Sequence, residues 1–136
     1  MFFEYSIKTD KRESLVDISD NILDAVVKSK VQNGVAIVFT PHTTSAITIN
    51  ENADPSVKKD IVKFLHEKIP ENYGFSHYEG NSDAHLKSSF FGPSLTLIIN
   101  DGKIILGTWQ GVYFCEFDGP RSRKFYVKIM KDWFNC

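Results

Sequence analysis

Two cysteines in 136 residues, Cys115 and Cys136, are too few for a disulfide framework. Cys115 falls inside a strand-like run and Cys136 is the last residue, so the expectation is one buried and one terminal thiol rather than a bridge. No stretch approaches the roughly 18 consecutive apolar residues of a membrane span. The opening MFFEYSIKTDKRE places Glu4 inside its one apolar patch and lacks the order of a signal peptide. The expected address is therefore the cytoplasm, with no membrane partner. Neither sign of charge dominates: 16 Lys and Arg face 17 Asp and Glu, for a net −1. That balance argues against a nucleic-acid partner wrapped on a broad basic surface, while a local basic site remains open. P-loop, GxGxxG, CxxC, HExxH and GxSxG patterns are all missing. Nucleotide-binding, zinc-ribbon and serine-hydrolase readings lose their usual anchors with them. There is no internal repeat, low-complexity tract or linker.

The residues present suit an ordinary globular chain, with 42% hydrophobic and 24% charged. Its length fits one domain, residues 1–136, with enough chain for a sizeable core. Phe2 to Lys8 alternates as a half-buried strand, and a short strand from Ser14 to Ile18 follows the turn at Asp10. Ser19 reads as the N-cap of a helix to about Lys30, striped by Ile22, Leu23, Val26 and Val27 and stopped by Asn33-Gly34. Val35–Phe39 and Ser45–Asn50 read as neighbouring strands joined at a polar corner that holds His42. Asp54-Pro55 starts a second helix, which must end by Pro70. Glu71 to Gly92 is polar and turn-rich and reads as one long loop, a length more often functional than idle. Ser94–Asn100 and Lys103–Leu106 form a hairpin at Asp101-Gly102, and Arg123–Ile129 reads as the hairpin partner of the strand before it. This order predicts an α+β fold built on a largely antiparallel β-sandwich.

That preceding strand, within GTWQGVYFCEFDGPRSR, is bulky on both faces. Trp109, Tyr113, Cys115 and Phe117 point one way; Gln110, Val112, Phe114 and Glu116 point the other. Both faces must be covered, by a sheet, a helix or another subunit, and the expected cover for its outer face is a subunit interface.

Candidate chemistry gathers in three places. His42, His77 and His85 sit in polar corners, where three imidazoles can bind a metal, donate to a phosphate, act as acid or base, or simply face solvent. His66, on the wet face of its helix, reads as a surface residue. Thr43 and Thr44 stand beside His42 as ligand hydroxyls or as a locally bonded corner. Glu51, without a local explanation, is a candidate acid or base, whereas Asp54 reads as a cap. Glu116 and Asp118 with Arg121 and Arg123 form either an ion-pair network at the Gly119-Pro120 turn or an anion site.

HTTSAITINENADPSVKKD, YGFSHYEGNSDAHLKSSFFG and SLTLIINDGKIILGTWQGVYFCEFDGPRSR together resemble the YjbQ family over nearly the whole chain. Residues 94–112, with Gly102 and GTWQ at 107–110, resemble its signature. The resemblance implies a compact α+β sandwich with two to three helices, assembled as a homotrimer. It also implies a secondary thiamine-phosphate synthase activity, which joins a pyrimidine methyl diphosphate to a thiazole phosphate and releases pyrophosphate. The family's histidines fall on His42, His77 and His85, which implies metal binding by these three; with Glu51, from the reading of the residues, they make the candidate catalytic set. Both substrates are anions, so Arg121, Arg123 and Lys87 are the expected clamps. Thr43, Thr44, Asn81, Gln110 and Glu116 complete the expected substrate-binding set. The cofactor expected is a divalent metal, zinc if imidazoles hold it or magnesium if it arrives with the diphosphate. Two other readings stay open. One is a metal-dependent hydrolase of a small phosphorylated or acyl compound; the other is a non-catalytic trimeric module that sequesters an anion.

Overall fold

Alternating burial builds most of the chain, as a computed structural model describing residues 1–133 shows. Strand β1 (Phe2–Lys8) turns Phe3, Tyr5 and Ile7 inward, as its pattern predicts. Strand β2 (Ser14–Asp17) leads into helix α1 (Ser19–Ser29). Ile18, rather than Ser19, holds the N-cap position of α1. The Ser19 hydroxyl instead accepts from the Val112 amide at 3.0 Å, while Asp17 accepts from the Ser19 amide. The helix ends at Lys30 in the left-handed region, φ 60°, ahead of the expected Asn33-Gly34 stop.

Strands β3 (Gly34–Phe39) and β4 (Ser45–Glu51) follow, then helix α2 (Pro55–Lys68), capped by Asp54 as expected. The segment read as one long loop contains a third helix, α3 (Ser82–Phe91). Strands β5 (Ser94–Asn100), β6 (Lys103–Ile104), β7 (Gln110–Glu116) and β8 (Ser122–Lys131) complete the fold.

Two antiparallel sheets face each other, one ordered β1-β8-β3-β5-β6 and the other β2-β7-β4. β3 and β4 therefore lie in different sheets, not side by side, because the chain crosses between layers at the His42 corner. β8 likewise pairs with β1 and β3 rather than with β7. Three of its side chains, Phe125, Val127 and Ile129, fill the space between the sheets with Val38, Phe114 and the α1 residues Ile22 and Val26. Gly34 opens β3 where a Cβ would lie 2.0 Å from the Met130 carbonyl oxygen, so this close approach of β3 and β8 requires glycine.

β7 is the middle strand of the small sheet, and both of its faces are covered. Val112 and Phe114 join the inter-sheet core, while Tyr113, Cys115 and Phe117 pack with Leu65 of α2 and Ala84 of α3. The outer face expected to meet another subunit is thus closed by the chain's own helices. Cys115 is buried, and burial pushes its thiol well above the ordinary range. Cys136 lies outside the described residues.

Candidate functional site

β7 and β8 converge at Gly119-Pro120, and the polar groups flanking that turn form a continuous hydrogen-bonded chain. Glu116, at the end of β7, is fully buried. Its carboxylate accepts from the Arg123 guanidinium, from the Thr9 hydroxyl at 2.7 Å and from the Asp118 amide at 3.2 Å. Arg123 also donates to the Thr44 hydroxyl at 2.8 Å. The Glu116 carboxylate and the Arg123 Nε and Nη2 groups all have partners, as a buried ion pair requires. Glu116, Thr44 and Arg123 thus form a structural network, with little of Arg123 left to clamp a ligand. At Gly119 an added Cβ would lie 2.2 Å from the Lys11 carbonyl oxygen, so only glycine lets this turn sit against the β1–β2 connection.

His42 rests on the rim of that network. Its Nε2 accepts from the Lys124 amide at 2.9 Å, which leaves Nδ1 as the protonated nitrogen of the neutral ring. Burial, and then the neighbouring Arg123 charge, lowers its pKa below the ordinary 6.5, so it is a neutral imidazole at pH 7. Thr43 beside it is exposed, and the Thr40 and Ser45 hydroxyls bond one another at 2.7 Å behind it.

One turn further along, Asp118 joins the network to α3. It accepts from Arg121 at 2.8 Å and from the Asn81 amide group at 2.9 Å. The Asn81 carbonyl oxygen is enclosed and has no hydrogen-bond partner. His85 lies one helical turn beyond Asn81, and its ring meets His77 edge-on with centroids 5.7 Å apart. His77 also reaches Glu79 at 3.7 Å. Arg121 is about half exposed and remains the accessible guanidinium of this cluster.

Three expected members lie elsewhere. Glu51 pairs with Gln110 in the β4–β7 ladder, whereas Glu116 pairs with Ser45 at its opposite end. Six residues of strand separate the two ends, roughly 20 Å. Glu51 accepts from the Asn52 and Ala53 amides and shapes that turn; Gln110 accepts from Gly107 at 2.7 Å. Lys87 is fully buried, its ammonium 2.7 Å from Glu13 and 2.8 Å from Asp83, and no path leads from it to a substrate anion. The inward face of α3 carries charge, which explains why hydrophobic period did not reveal the helix. Asn81-Ser82-Asp83 at its start and Gly92-Pro93 at its end were the signals to follow. Arg12, Glu13 and Asp83 were also missed; Arg12 grips both Asp83 oxygens at 3.0 Å.

Among the described residues no group of three or more His, Cys, Asp or Glu is arranged to hold a metal ion. His77 and His85 supply two imidazoles, one fewer than the three protein ligands of a catalytic zinc centre, and the His42 acceptor nitrogen is taken by Lys124. A single chain does not assemble the three-histidine set.

Residues 3–132 match the family described as UPF0047 protein YjbQ-like. A UPF0047 protein of Methanocaldococcus jannaschii is 63% identical, covering 97% of this chain and 96% of its own. YugU of Bacillus subtilis, another UPF0047 protein, is 49% identical over 91% and 95%. A crystal structure of a YjbQ/UPF0047 protein from Clostridium acetobutylicum superposes with TM-score 0.93 at 52% identity, covering 94% of this chain and 99% of that one. No helix of the described residues is long and apolar enough to cross a membrane.

Proposed function

We propose that this chain, which belongs to the UPF0047 YjbQ-like family, is a transferase of the secondary thiamine-phosphate synthase type. It joins a pyrimidine methyl diphosphate to a thiazole phosphate. The observation that carries the reading is the polar cluster at the start of α3, where His77 meets His85 and Asn81 is tied through Asp118 to Arg121. In the reaction the bond from the pyrimidine methylene to the diphosphate oxygen breaks, and its electron pair leaves with pyrophosphate. The thiazole nitrogen lone pair forms the new carbon–nitrogen bond. Arg121 faces the charge that grows on the leaving oxygens, and an imidazole N–H of His77 or His85 donates to them. To Thr43 and neutral His42, at the β3–β4 corner, this reading assigns the thiazole phosphate, held with O–H and Nδ1–H donors.

Purified protein given both phosphorylated precursors is expected to form thiamine phosphate, measured by chromatography of the fluorescent oxidised product. His85→Ala and Arg121→Ala should each lower the rate by about 100-fold or more. Glu51→Ala and Gln110→Ala, at the far end of the ladder, should leave it unchanged. No product above a heat-killed control would sink the proposal.

A non-catalytic module that sequesters an anion is the second reading. It is favoured by the buried Glu116–Arg123 pair, whose Nε and Nη2 groups are held by Glu116 and Thr44 and which stiffens the site's wall. Phosphate binding lost in Arg121→Ala, with no turnover in either protein, would select it.

A further inference from the structure

On the opposite side of the Arg12 ion network, strand β2 is an edge of the small sheet, paired only with β7. The phase of that ladder is set where the Ile18 amide donates to the Val112 carbonyl at 2.9 Å. In an antiparallel pair, residues that exchange hydrogen bonds alternate with residues that do not. Ser14 and Val16 therefore bond to β7, and the backbone N–H and C=O groups of Leu15 and Asp17 face outward. Beyond this edge runs α2, and between them lies a groove of about 880 Å³. Its apolar floor includes Leu15, Val16 and Val62. The Ser14 hydroxyl at its end is buried and has no hydrogen-bond partner.

The charges around this groove are unevenly matched. Glu13 is occupied by Arg12, Lys87 and His66, and Glu71 is held by Arg12 at 3.4 Å. Asp17 accepts from the Ser19 amide through one oxygen, and Asp10 also lines the groove; neither has a basic side chain within ion-pair distance among the described residues. Lys11, Lys58, Lys59 and Lys63 also line the groove, and among the described residues none has a carboxylate within ion-pair distance. The lining thus combines exposed strand hydrogen-bonding groups, an apolar floor and a row of unpaired ammonium groups.

We propose that the β2 edge and the α2 lysines bind an extended acidic peptide of a partner protein, which adds as a fourth strand to the small sheet. Strand addition takes its affinity from main-chain hydrogen bonds and its selectivity from alternate side chains. Here the apolar side chains of the added strand meet Leu15, Val16 and Val62, and its carboxylates meet Lys11 and the lysines of α2. A second copy of this chain is a poor occupant, because two β2 edges would bring the same lysines face to face.

The probe is a synthetic hexapeptide of alternating Glu and Val with blocked ends, titrated into the intact isotope-labelled protein. Saturable one-to-one binding is expected, with the Leu15 and Asp17 amides shifting and gaining exchange protection. Lys59→Glu/Lys63→Glu, both on the exposed side of α2, should weaken binding about tenfold or more while leaving far-UV circular dichroism unchanged. In the unaltered protein the affinity should fall steeply with added salt. A peptide N-methylated at alternate residues should not bind. Binding indifferent to salt, charge reversal and N-methylation would overturn the proposal. So would unmoved Leu15 and Asp17 amides at about 1 mM peptide, and the lysines would then be guards that keep other strands off the edge.

Discussion

His42 shows how one side chain can be fixed in a protonation state by its surroundings. Burial, followed by the Arg123 charge, holds its pKa below the ordinary 6.5, so the unfolded chain takes up a proton more readily than the folded one. By linkage, its contribution to stability is complete above about pH 6.5 and is lost as pH falls from there through the lower folded value. Asp83 acts in the same direction further down. Burial pushes its carboxyl up, but the hydrogen bonds from Arg12 and Lys87 outweigh that and hold it below 3.8. The urea midpoint should therefore be level between about pH 8 and 7 and decline as the solution is acidified through 6. His42→Gln keeps an acceptor for the Lys124 amide and removes the titration, so its curve should be flatter between about pH 7 and 5. An identical slope in the variant would assign the decline to another group.

Helix α3 is secured by charge where most helices use an apolar stripe. Asp83, Ala84 and Lys87 form its buried face, and Arg12 and Glu13 complete the ion cluster from the β1–β2 connection. Breaking a buried pair by removing one partner leaves uncompensated charge, at a cost of about 3–5 kcal/mol. Lys87→Met, similar in volume, should lower unfolding free energy by that amount in urea. Lys87→Met/Asp83→Asn should lose less than the two single changes added together. Strict additivity would mean that the groups do not sense each other. The same reasoning explains what could be read from the chain in advance. β1, α1 and α2 were legible because their buried residues are apolar and recur at the period of the element. α3 was not legible, because its buried residues are a carboxylate, an alanine and an ammonium. Strand partners were hidden too: β8 alternates cleanly, but alternation says which face is buried and nothing about which strand lies alongside. The site was legible in its residue types at His42, His77, His85, Asn81 and Arg121. It was misread at Glu51 and Gln110, where only the β4–β7 register reveals the distance from Glu116.

Closing the outer face of β7 with α2 and α3 moves the argument for assembly to another surface. The five-stranded sheet turns one face to the core, and among the described residues no layer lies over the other. On that open face Phe2, Tyr126 and Phe39 form a row of aromatic contacts, with centroids 5.2 and 6.4 Å apart. The register carries the row on through Ile37 and Val35 to Met130 and Ile98. Phe2 and Ile98 are each 60% exposed and Met130 49%. Lys128 and Thr96 flank Ile37 within it, but an exposed apolar face of this kind on a small chain is a mark of an interaction surface. We propose that it is the contact through which three copies assemble, and that the histidine cluster does not depend on it for its own fold. Light scattering should then give three times the 15.5 kDa chain mass. Ile98→Lys/Met130→Glu should give a monomer with unchanged circular dichroism. A monomeric parent protein, or a variant still trimeric, would reject this face as the contact. Activity of the monomeric variant toward the phosphorylated precursors then decides whether each chain carries a complete site or borrows a residue from its neighbour.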